Sequence, residues 1–129
     1  MPTVNLDTAS RLDIICRKGD TFRLVLDFGQ DMEAPATDWK MQVASSDTAS
    51  AATLTLEGSA NFEVGANSDG VSGAKITITA TSTSMAAIPS GLYVYDIQTD
   101  DTAGTGGEVK THVYGTFKVN EDITTPDVA

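Results

Sequence analysis

Apolar residues fall on alternate positions through most of this chain, and the alternation breaks at short polar stretches that carry glycine. The plainest case is Thr21 to Phe28, where Phe22, Leu24, Leu26 and Phe28 take every second place and Arg23 and Asp27 lie between them. Successive side chains of a strand point to opposite faces, so this segment sets four large apolar groups on one side and charge on the other. Residues 11–17 repeat the pattern, with Leu12, Ile14 and Cys16 on one face and Asp13, Ile15 and Arg17 on the other. That charged outer face predicts an edge strand. Trp39, Met41 and Val43 predict a further strand with these three inward. Short strands are predicted at 53–57 and 62–64, and another at 74–79 with Ile76 and Ile78 inward.

Between Thr81 and Ile88 the period of two is lost. Ser82 or Thr83 is placed to cap one helical turn that carries Met85 and Ile88 to the core, and Pro89-Ser90-Gly91 ends it. Residues 92–97 are apolar on both faces; Tyr93, Tyr95 and Ile97 are predicted to face the core, with Leu92 and Val94 outside. The last strand, 109–119, is predicted to turn Val109, Val113, Phe117 and Val119 inward and His112, Tyr114 and Lys118 outward. Gly115 within it marks a bulge or a close backbone approach.

Eight short strands, separated by turn chemistry and interrupted by one helical turn, predict an all-β fold: an antiparallel immunoglobulin-like β-sandwich of about seven to eight strands. An up-and-down barrel is the alternative. The expected organisation is an N-terminal arm at 1–10, the sandwich domain at 11–119 and an acidic C-terminal tail at 120–129. At 129 residues the chain is one domain by length and can bury a core without covalent staples. Abundant Thr, Ser, Ala, Gly and Asp, with few long helix formers, agree with strands and turns.

Charge narrows the partners. Eighteen acidic residues against 8 basic ones give a net charge of −10, which disfavours nucleic acid and anionic membrane surfaces, both of which call for clustered Lys and Arg. It favours solubility and suits a basic neighbour. No stretch approaches the roughly 20 apolar residues of a membrane span. The first ten residues lack the basic and apolar regions of a secretory signal, so synthesis in the cytosol is expected.

Candidate chemistry is sparse, and nothing calls for a cofactor. Cys16 is the single cysteine and His112 the single histidine, which excludes an intrachain disulfide and metal sites built from several such ligands. They are expected on opposite types of face, against a Cys–His pair. No Gly-x-Ser-x-Gly elbow supports a triad on His112, which reads as an exposed strand residue. Asp31, Glu33 and Asp38 share a connection, but their spacing fits no EF-hand loop, so a solvated acidic loop is the better reading. The loop from Gly65 to Gly73 reads as an exposed connection, without the helix and Lys-Ser/Thr pair of a phosphate loop. Asp100 and Asp101 sit in a Gly-rich hairpin loop, poorly suited to hold a fixed glycosidase separation. An enzyme is therefore not expected. The expected site is instead a partner interface: Leu92 and Val94 beside His112 and Tyr114 on the outer face of one sheet, an apolar and aromatic patch of the kind that marks protein contacts.

The order of motifs brings in a family. An opening strand runs into Lys18-Gly19-Asp20-Thr21-Phe22; then come Trp39-Lys40-Met41-Gln42-Val43, Ile76-Thr77-Ile78-Thr79 and a helical turn. The run from Ile88 to Ile97, Ile-Pro-Ser-Gly-Leu-Tyr-Val-Tyr-Asp-Ile, follows, and Gly115-Thr116-Phe117-Lys118-Val119 closes the series. Over residues 11–120 this resembles the small immunoglobulin-like structural proteins of tailed bacteriophages, in pattern the N-terminal domain of baseplate upper proteins. The resemblance implies a virion component, made in the host cytoplasm, that binds other phage virion proteins and is repeated by particle symmetry. Baseplate upper proteins continue into a long C-terminal region not found in this sequence, which leaves tail, neck and capsid surface open. A tail, baseplate or neck adaptor is the expectation, a capsid decoration protein the alternative, and a carbohydrate-binding adhesin module the rival from another class.

Overall fold

The computed structural model describes residues 9–46, 52–100 and 109–121. Among these residues the chain forms β1 (Ser10–Arg11), β2 (Ile14–Arg17), β3 (Phe22–Asp27), β4 (Trp39–Ala44), β5 (Leu54–Glu57), β6 (Phe62–Gly65), β7 (Lys75–Ala80), helix α1 (Ser82–Ala86), β8 (Gly91–Asp100) and β9 (Val109–Asn120). The larger sheet has the order β1, β9, β8, β4, β5, and β2 follows β1 along the free side of β9; the smaller sheet is β3, β7, β6. Their apolar faces meet in one core, and the result is an immunoglobulin-like β-sandwich. Among the described residues no helix is long and apolar enough to cross a membrane. The outermost parts of the predicted arm and tail, 1–8 and 122–129, lie outside the described residues, as do 47–51 and 101–108, which hold Asp101 and most of the predicted hairpin loop.

Period-two patterning places the core as expected. Trp39, Met41 and Val43 on β4, Ile76 and Ile78 on β7, and Tyr93, Tyr95 and Ile97 on β8 are all buried. On β3, Phe22 is buried while Leu24 and Leu26, and Phe28 just after the strand, are partly buried against the core. The reason is topological: β3 pairs on one side only, with β7, and the centre of its sheet is β7. The helical turn delivers Met85 and Ile88 to the interior, but the cap is Thr81, one residue before the predicted pair, whose Oγ1 accepts from the Ser84 N–H at 3.2 Å. At the same corner the Tyr93 hydroxyl donates to the Pro89 carbonyl at 2.6 Å, the tyrosine-corner device of immunoglobulin-like folds. Across the core, Phe22 of one sheet packs against Phe117 of the other, ring centroids 5.6 Å apart.

Three expectations need correction. The predicted strand 11–17 is two strands, interrupted at Leu12–Asp13, and both run parallel to β9 (Ser10 opposite Val113, Ile14 opposite Phe117), while every other strand pair is antiparallel. The interruption has a cause. An alanine Cβ at Gly115 would lie 2.3 Å from the Leu12 carbonyl oxygen, so the missing side chain lets that carbonyl dip inward and accept from the Tyr95 hydroxyl. Asp13 Oδ1 accepts the Thr116 N–H at 3.0 Å, a carboxylate standing where a strand would offer a backbone carbonyl.

Gly115 is thus the close backbone approach, one of the two readings open from the sequence. A bulge lies instead at His112, where it overturns the expected facing of Val109 and His112. Ile97 pairs with Val113 but Gln98 with Thr111, which leaves His112 as the extra residue. An extra residue reverses facing beyond it. His112 therefore turns inward, and Val109 is 53% exposed instead of buried. Last, the loop from Gly65 to Gly73 is not wholly exposed: Asn67 is buried, accepts from the Asp69 and Val71 N–H groups, and donates to Asp27 Oδ1 at 3.1 Å.

Candidate docking face

The outer face of the larger sheet is built by the even-numbered residues of β8 and β9 up to the bulge. Leu92 lies opposite Lys118, Val94 opposite Thr116 and Asp96 opposite Tyr114. Two neighbours extend these rows: β2 sets Ile15 beside Lys118, and β4 sets Gln42 beside Asp96. Leu92 is 65% and Ile15 70% exposed, Tyr114 38%, and Val94 is half-buried.

Of the four residues expected to form the interface, Leu92, Val94 and Tyr114 do share this face. Leu92 and Tyr114 are not side by side, however: four residues of β8 separate their rows, about 13 Å along the ladder at strand rise. His112 is not among them. The bulge sends its ring into the core end, 5.3 Å from Trp39 and 6.0 Å from Phe28 by centroids, and its Nε2 is hydrogen bonded to Thr99 Oγ1 at 2.8 Å. The reading of His112 as an exposed residue is thus corrected, and its surroundings make it a filler of the Trp39 cluster.

Two residues of the face escaped the sequence reading. Ile15 was assigned outward, but only the parallel pairing of β2 with β9 brings it across Lys118 from Leu92. Asp96 reads as one polar position in an alternating strand. In the fold it is half-buried, and burial raises its carboxyl above the ordinary carboxylate range. None of its neighbours among the described residues gives its carboxylate a hydrogen bond or an ion pair. The nearby charges are engaged elsewhere: Arg11 Nε lies 3.3 Å from Asp13 Oδ1, and Lys40 Nζ lies 3.9 Å from Glu57 Oε2.

Other chemistry-bearing groups have structural duties. Asp13 is held below the usual carboxylate range, first by the Thr116 N–H and further by Arg11. Cys16 is half-buried, and burial together with Asp20 pushes its thiol up, toward the unreactive form. Asp31 Oδ1 accepts the Glu33 N–H at 2.9 Å. Among the described residues no group of three or more His, Cys, Asp or Glu is placed to hold a metal ion. An open depression of about 470 Å³ lies at the end of the sandwich between Asp38, Lys40, Glu57 and Asp100.

No family model and no curated protein matches the chain. Among solved structures it is similar to NK cell receptor Nkp44, a triggering partner in natural cytotoxicity, at 15% identity and a TM-score of 0.39, over 87% of this chain and 98% of that one.

Proposed function

We propose that this protein is a non-enzymatic structural component of a tailed-bacteriophage particle, an adaptor in the tail, baseplate or neck that binds neighbouring virion subunits through the outer face of its larger sheet. The phage assignment is supported by the motif order from Lys18 to Val119. The docking role is supported by one structural observation: two large aliphatic side chains, Ile15 and Leu92, stand mostly exposed on the same face as Val94 and Tyr114. Single exposed apolar residues are ordinary on a soluble domain, whereas a set sharing one flat sheet face is the usual mark of a protein contact.

The fold suits this work. A sandwich fixes its faces through its core, so a docking surface made of strand residues is presented rigidly and pays little ordering entropy on binding. The test is the composition of purified particles by quantitative mass spectrometry. The reading expects the chain in them at a few to some tens of copies. Hundreds of copies would move it to the capsid surface as a decoration protein, and its absence from particles would end the virion reading.

A further inference from the structure

The face described above carries a carboxylate that the described residues leave unpaired. Asp96 sits directly opposite Tyr114 and two positions along β8 from Val94, so a protein that covers those two side chains must cover it as well. Covering it without compensation is expensive. The group is already half-buried, and taking an unpaired carboxylate the rest of the way out of water is strongly unfavourable. Among the described residues no cation is free to pair with it. Arg11 is held by Asp13 and Lys40 by Glu57, and Lys118 lies two rows away, between Ile15 and Leu92.

Resting on the reading that this face docks a neighbouring subunit, we propose that the occupant is a basic protein surface, one that sets an arginine or lysine among apolar side chains so that the cation pairs with Asp96. The net charge of −10 favours the same partner, since it steers a basic surface inward from a distance and opposes a second copy of this chain. The apolar neighbours give area, and Asp96 gives specificity: an acidic or neutral surface of the same shape is refused because it leaves the carboxylate buried and unpaired.

The experiment places a photocrosslinking amino acid at Leu92, or at Val25 on the outer face of the other sheet, in the full chain expressed during phage growth. Crosslinked peptides are mapped in the lysate and in purified particles. The proposal expects crosslinks from Leu92 but not from Val25, to a surface with a Lys or Arg beside the crosslinked residue. It further expects Asp96→Asn to lower crosslink yield about tenfold or more, and Asp96→Lys to be rescued by changing that partner cation to Glu. Crosslinks from Leu92 to a second copy of this chain, or to a surface without a cation, would overturn it. So would crosslinks from Val25 alone, no crosslink at all, or an undiminished yield with Asp96→Asn. The two readings fail separately. Absence from particles removes the virion assignment, while a rescued crosslink found only in the lysate still upholds the basic partner.

Discussion

Gly115→Ala probes the contact that closes the N-terminal strands onto the sandwich. The added Cβ would meet the Leu12 carbonyl oxygen at 2.3 Å and Asp13 Oδ1 at 2.9 Å, so the Leu12–Asp13 segment must retreat by roughly 1 Å to reach ordinary contact. The retreat breaks the Tyr95-to-Leu12 hydrogen bond, worth about 1 kcal/mol net, and over-packing of this kind adds about 1–3 kcal/mol. Against that stands a gain. Gly115 is not among the residues with positive φ, so alanine fits the local backbone and stiffens the unfolded chain, contributing about 0.4–1 kcal/mol. Steric cost wins, and the expected net loss is about 1.5–3 kcal/mol. In a domain of this size that lowers Tm by roughly 6–12 °C. The assay is urea and thermal unfolding followed by Trp39 fluorescence, run as a cycle with Tyr95→Phe. Because Gly115→Ala already breaks the hydroxyl's bond, adding Tyr95→Phe should cost almost nothing more, a coupling of about 1 kcal/mol. Strict additivity of the two changes, or a Gly115→Ala protein within about 0.5 kcal/mol of the parent, would refute this account of why β1 and β2 are separate.

Three more outcomes are expected. Asp96→Asn should stabilise the free protein at neutral pH: the folded-state pKa is raised by burial, so the native state binds the proton more tightly and the parent loses stability as pH rises through the carboxylate range. The gap between variant and parent in urea midpoint should therefore shrink as pH is lowered through that range; a constant gap would show that burial is not the cause. Tyr95 has its pKa pushed up to about 12 by burial and by Asp13. Its contribution is complete below the ordinary tyrosine pKa near 10 and is lost as pH climbs toward 12, so alkaline destabilisation should be weaker in Tyr95→Phe; equal pH profiles for the two proteins would contradict this. Leu92→Asp combined with Tyr114→Asp should change Tm by only a few degrees, since both side chains are exposed, yet should abolish incorporation into particles. Normal particles carrying the double variant would remove this face from the assembly.

Alternation carried most of the fold. Wherever strands keep strict period two, as at Trp39-Met41-Val43 or Tyr93-Tyr95-Ile97, the inner face could be read from the sequence, because burial depends only on which side of the pleat a residue occupies. Two features depend on backbone geometry that side-chain chemistry does not announce. The bulge at His112 has no glycine to mark it, and it inverted the facing of Val109 and His112. Gly115 drew attention to the right strand, but its role became visible only with the parallel pairing of β2 and β9, a contact between opposite ends of the chain. The same pairing adds Ile15 to the outer face of the larger sheet. Asp96 was hidden for another reason: an outward carboxylate normally reads as solvated, and its loss of water comes from neighbours on three strands at once.

The most direct measurement is a cryo-EM map of the particle in which this chain is traced. The account predicts side-chain density from a neighbouring virion subunit packed over Leu92, Val94 and Tyr114. A chain traced in the particle with that face open to solvent, its contacts made through the smaller sheet instead, would contradict it.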